Sequence, residues 1–182
     1  MATEFSPMQL LKRRLFAMRN GIVADSLRRA GCPHRIVFGL NLPQLNEIAT
    51  EFGPSEELAE ALWADTPLRE SALLAPMLYP AEKLTIEKAR GLVDGVMWHE
   101  DADILCFKLL RKAPFALALA TELCASDRPL SRYTGLRLFF NIVAAHPAEA
   151  LAAAEAELRR PDAISTLAAM LKEEASFLAG EG

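Results

Sequence analysis

The chain has 182 residues, with 20 Lys and Arg against 24 Asp and Glu, a formal net charge of −4, 52% hydrophobic and 24% charged residues. That length supports one domain over residues 1–182 with a real core, and the balance of apolar to charged groups excludes a disordered chain. No apolar run approaches the roughly 20 residues of a bilayer-spanning helix.

From Met8 to Met18 apolar residues recur at helical spacing beside Lys12, Arg13 and Arg14. A transit peptide or membrane-surface helix shares this pattern, but Glu4 and Asp25 lie close by and the pattern runs on into a second helix, which favours a first helix of the fold. Before residue 40, Lys12, Arg13, Arg14, Arg19, Arg28, Arg29 and Arg35 face only Glu4 and Asp25. A basic end on an acidic protein suits an anionic partner; a solvated helix face is the plainer reading of the same charges.

Arg35-Ile36-Val37-Phe38-Gly39 is the one stretch with strand character, and it reads as an extended linker between helices. Elsewhere prolines punctuate the chain. Pro7, Pro43, Pro54, Pro67, Pro80, Pro114, Pro129, Pro147 and Pro161 stand where first helical turns begin, with Asn41 and Thr66 as capping residues ahead of two of them. Ser55-Glu56-Glu57 and Thr85-Ile86-Glu87 add helix starts with acidic groups where the helix dipole favours them.

Short breaks make successive helices antiparallel neighbours. Leu45, Ile48, Ala49 and Phe52 on one helix, and Leu58, Ala59, Leu62 and Trp63 on the next, have the spacing of faces buried against each other. The same pairing is expected for 85–95 with 99–112, and for 114–125 with 129–145. Two helices per unit at a period of about 35 to 45 residues predict an all-α solenoid, a superhelix of HEAT-like antiparallel helix pairs.

Cys32, Cys106 and Cys124 show no CxxC spacing and no secretory signal precedes them, as in a reducing, cytoplasmic setting. His34 near Cys32 and His99 near Cys106 offer too few ligands for zinc, and no Gly-rich phosphate loop is present, so neither metal nor cofactor is expected. The chemistry-bearing stretch is Trp98-His99-Glu100-Asp101-Ala102-Asp103-Ile104-Leu105-Cys106, acidic groups beside a large aromatic on an otherwise apolar helix. A carboxylate beside an aromatic face suits a cationic substrate.

Phe38-Gly39-Leu40-Asn41-Leu42-Pro43-Gln44-Leu45 with Ile48-Ala49, then Leu58-Ala59-Glu60-Ala61-Leu62-Trp63, then Arg69-Glu70 before Leu73-Leu74-Ala75, resembles the DNA alkylation repair family of HEAT-like-repeat DNA glycosylases. Residues from Asn20 to Gly31 look closer to a shorter bacterial branch of that family, and the likeness runs over about residues 20–145. The resemblance implies a curved stack of helix pairs whose concave basic groove holds duplex DNA. It also implies removal of N3- or N7-alkylated purines by hydrolysis of the N-glycosyl bond. An alkylated purine already carries positive charge and leaves readily, so such an enzyme needs a fixed carboxylate near the sugar rather than a strong general acid.

When the likeness is anchored on Cys106 and on residues 107–114, Asp103 matches the family's catalytic aspartate. The family's tryptophan stands four residues earlier; here His99 occupies that place and Trp98 lies five residues before Asp103. A second tryptophan has no counterpart, and the family's later arginine falls near Arg132 or Tyr133. The departures bear on excision rather than on DNA binding.

Helical spacing sets His99, Asp103, Phe107 and Arg111 in one stripe, and Tyr133, Arg137 and Asn141 in another. With Lys108, Lys112, Arg128 and Arg132 these would line the groove, while Arg28 and Arg29 would grip phosphates at a flank. The plainer reading makes Asp103 an exposed helix residue and Phe107 and Trp63 ordinary core. Duplex DNA is thus the expected partner, and a non-catalytic HEAT-repeat binding protein or scaffold the alternative.

Overall fold

Side-chain caps from Ser6, Asn20, Asn41, Ser55 and Thr85 start five of the helices. The computed structural model describes residues 5–180; Glu4, counted above, lies outside the described residues. These residues form eleven α-helices and two 3-10 turns, with one isolated parallel bridge between Ile36 and Leu68. Among them no helix is long and apolar enough to cross a membrane. Two compact units divide the chain between Lys83 and Leu84.

In the first unit, α1 (Pro7–Ala17), α2 (Gly21–Arg29), α3 (Leu42–Phe52), α4 (Glu56–Ala64) and α5 (Arg69–Leu78) precede a 3-10 turn at Ala81–Lys83. Ser6 and Asn41 accept from the third helical N–H of α1 and α3, while Gln9 and Gln44 reach back to the capping residue, which closes a reciprocal capping box at each start. Ser55 caps α4. The pairing differs from the expected one: α4 packs on α5, and α3 packs on α5 and α1 rather than chiefly on α4. The reason is α5, which is buried at Arg69, Glu70, Ser71, Leu73, Leu74, Ala75, Pro76 and Leu78 and so receives the apolar stripes of both. Trp63 is only half-buried.

The linker is extended, as its composition suggests. Ile36 donates to the Pro67 carbonyl at 2.7 Å and accepts from Arg69 N–H at 3.0 Å. This ladder holds Thr66 and Pro67 outside the helix, so α5 starts at Arg69 with Leu68 as its cap and not at the Thr66-Pro67 signal. Glu70 completes the anchor: its carboxylate accepts the N–H groups of Phe38, Gly39 and Leu40 at 3.0, 3.0 and 3.3 Å and pairs with Arg69 at 2.7 Å. Gly39 has φ +80°, and a Cβ there would collide with the Asn20 carbonyl and stand 2.7 Å from the Ala24 nitrogen. The linker therefore presses against the start of α2 in a way only glycine permits.

In the second unit, α6 (Ile86–Asp94), α7 (His99–Lys108), a 3-10 turn at Leu110–Lys112, α8 (Ala116–Cys124), α9 (Pro129–Ile142), α10 (Pro147–Leu158) and α11 (Ser165–Gly180) follow in order. Helices α8 and α9 form one pair and α10 and α11 another. The expected pairing of 85–95 with 99–112 gives way to packing of α7 on α9. Helix α9 is the hub. It buries Arg132, Thr134, Gly135, Leu136, Leu138 and Phe139, and a Cβ at Gly135 would stand 2.8 Å from the Cys124 sulfur, which shows how closely α8 and α9 approach.

Candidate nucleic-acid interface

The facing stripes of α7 and α9 meet at Asp103. Helix α7 begins where it does because Asp101, its third residue, turns back to accept the N–H groups of Met97 and Trp98 at 3.2 and 3.0 Å. Asp101 is buried in doing so, and Asp103, two residues on, is directed at α9. There Oδ1 of Asp103 accepts from the Tyr133 hydroxyl at 2.9 Å and from Arg137 Nε at 2.6 Å. Oδ2 has no hydrogen-bond partner among the described residues. The Asp103 side chain keeps 35% of its exposure and Arg137 28%, so the pair is held yet reachable from solvent.

Around this pair the polar groups support one another. His99 lies against the Tyr133 ring with centroids 4.3 Å apart, and Asn141 Nδ2 donates to the Arg137 carbonyl at 2.7 Å. Burial, and then the negative charge of Asp103, raises the Tyr133 pKa, which keeps its hydroxyl a donor. Burial works against the Arg137 charge, but its hydrogen bonds to Asp103 and Tyr133 outweigh that and raise its pKa.

One turn further on, cations gather. Leu109 leaves the helical region at φ −126° and ψ −64°, and the chain tightens into the 3-10 turn that carries Arg111 and Lys112. Arg111 lies 4.2 Å over the Phe107 ring and Lys108 5.3 Å from it. Phe107 is 40% exposed, so it is a surface ring under two cations rather than core. The Lys108 pKa is lowered by burial and then by the charges of Lys112 and Arg111. Arg111 and Lys112 make no ion pair among the described residues. Two like charges close together on one turn, as Arg111 and Lys112 are, attract an anion from outside.

Not every predicted residue joins this face. Arg132 is a correction: it is fully buried, paired with Glu157 at 3.1 Å and Asp162 at 2.7 Å, and so anchors α9 to the terminal hairpin instead of meeting DNA. Arg128 donates to the carbonyls of Val93, Asp94 and Val96 and so closes the end of α6 rather than lining a groove. Trp98 precedes α7 as its half-buried capping residue. In the first unit Arg28 pairs with Asp25 at 2.9 Å, while Arg29 is exposed without an ion pair among the described residues. Lys12 and Arg14 are taken up by Asp65, Glu47 and Glu51. Asp101 was missed as a cap, although an acid at the third position of a helix is a readable signal.

The model of the DNA alkylation repair enzyme family matches residues 11–177. The chain belongs to that family. A solved structure described as one of a new family of proteins related to the HEAT-like repeat DNA glycosylases, with affinity for branched DNA structures, superposes with a TM-score of 0.79 at 17% identity. The match covers 97% of this chain and 83% of that one, and it places the chain in the HEAT-like all-α fold. Comparison with curated proteins gave no match.

In this cluster one oxygen of Asp103 is held by Tyr133 and Arg137, the other accepts no hydrogen bond among the described residues, and Arg111 and Lys112 stand on the turn that follows the same helix.

Proposed function

We propose that this member of the DNA alkylation repair family binds duplex DNA through the face made by α7, the following 3-10 turn and α9, and there removes N3- or N7-alkylated purines. The observation that carries the reading is the Asp103 carboxylate, fixed through Oδ1 by Tyr133 and Arg137 with Oδ2 unpartnered and the side chain part-exposed. Arg111, Lys112 and Lys108 serve the phosphates, and Phe107 offers a ring beside them.

The chemistry asks little of the protein. The C1′–N bond breaks with its electron pair going to the cationic purine, which leaves neutral, and the sugar takes up the positive charge. Asp103 Oδ2 faces that charge, already oriented, and water adds at C1′ with loss of a proton. No proton need be supplied to the leaving base.

A second reading, DNA binding without excision, is favoured by the 2.6 Å approach of Arg137, which offsets part of the Asp103 charge, and by Trp98 standing ahead of the helix. The affinity for branched DNA described for the similar structure fits this reading too. Incubation with duplex containing N7-methylguanine separates the two. Base release that disappears in Asp103→Asn supports excision; salt-sensitive duplex binding with no release leaves the second reading; absence of binding at low salt ends both.

A further inference from the structure

At the turn between α1 and α2, the first unit holds a cleft of about 510 Å³ lined by Ala17, Arg19, Gly21, Ala24, Val37 and Phe38, with Arg28 at its side. Its lining combines apolar side chains, from Ala17, Ala24, Val37 and Phe38, with the cationic ones of Arg19 and Arg28. Gly39 lets the linker that carries Val37 and Phe38 press on the start of α2, which carries Gly21 and Ala24. Gly21 keeps the mouth open: it lies in ordinary helical backbone, and a Cβ there would meet nothing within 4 Å.

Next in sequence to the lining residues Ala17 and Gly21, two apolar side chains reach into water. Phe16 is 52% exposed and Ile22 82%. Arg19 lies 3.9 Å over the Phe16 ring, and Phe38 meets that ring edge-on at 5.8 Å. Arg28 donates to the Val37 carbonyl at 3.3 Å, which holds it at the cleft, and its exposed pair with Asp25 costs little to exchange for a phosphate; the exposed Arg29 and Arg35 on the same stretch add charge without ion pairs among the described residues. A planar apolar group carrying one negative charge matches this arrangement.

We infer that this cleft receives a single unstacked nucleotide of a DNA strand, its base against the part-exposed Phe38 and the exposed Ala17 and its phosphate on Arg19 and Arg28. The inference rests on the reading that the protein binds DNA, and it adds a site for unpaired nucleotides that lies wholly in the first unit. Exposed rings and arginines that accept any base without hydrogen-bond readout give sequence-tolerant capture.

The test compares a blunt duplex with the same duplex carrying a short single-stranded tail, by fluorescence anisotropy. The tail strengthens binding to the unsubstituted chain by about tenfold, the ordinary scale for stacking one base. Gly21→Phe, which fills the cleft without touching backbone, and Arg19→Ala each abolish that advantage while blunt-duplex affinity and Tm stay unchanged. A tail without effect, or an advantage that survives both variants, overturns the inference. Titration with deoxyadenosine 5′-monophosphate, followed by amide NMR, decides the matter even if duplex binding fails. Shifts at residues 21–24 and 37–38 that inorganic phosphate does not reproduce, and that Gly21→Phe removes, support the site; equal shifts with phosphate alone sink it.

Discussion

Glu70 in the first unit and Asp103 in the second are both helix-borne carboxylates beside an arginine, and they are used in opposite ways. Glu70 is fully buried and spends both oxygens on Arg69 and three backbone N–H groups. Asp103 spends one oxygen and leaves the other toward solvent. A saturated acid anchors the backbone around it, and a half-saturated one keeps an oxygen with which a ligand could interact. Neither sequence neighbourhood announces which is which, because the difference lies in how many donors the fold brings up.

The comparison breaks if the two acids respond alike to removal. Glu70→Ala takes from the buried Arg69 the carboxylate that pairs with it at 2.7 Å and leaves three N–H groups unmet, so urea unfolding should lose about 3–5 kcal/mol. Asp103→Asn should abolish base release while changing stability by no more than about 1 kcal/mol, since its pair is part-exposed. A loss at Asp103 as large as at Glu70 would make it an anchor too. Replacing Arg111 and Lys112 together with Ala should leave Tm unchanged and lower the salt slope of duplex binding by about 0.9 for each phosphate that these cations neutralise. Tyr133→Phe sharpens the contrast most finely. It removes one of two bonds to Oδ1, should cost about 1 kcal/mol in the same unfolding measurement, and should slow base release far less than Asp103→Asn.

Much of the architecture was legible because helix starts are written locally. Asn41, Ser55 and Thr85 each cap the helix their position suggests, and the 35–39 linker is extended. Partner choice was less legible. Periodicity tells which face of α3 is apolar but not that α5, buried over most of its surface, will receive it. The two stripes of the site could be read residue by residue, but nothing along α7 or α9 alone says that Asp103 meets Tyr133 and Arg137. Arg132 misled for a related reason: its acidic partners stand 25 and 30 residues away, and a buried arginine is spelled like an exposed one.

The Arg132 triad also limits where the chain can be shortened. Glu157 closes α10, Asp162 opens the approach to α11, and both neutralise a guanidinium at the root of the helix that presents Tyr133 and Arg137. Clipping the final hairpin would therefore leave a stranded cation beneath the site, so the last two helices behave as a keystone rather than an appendage.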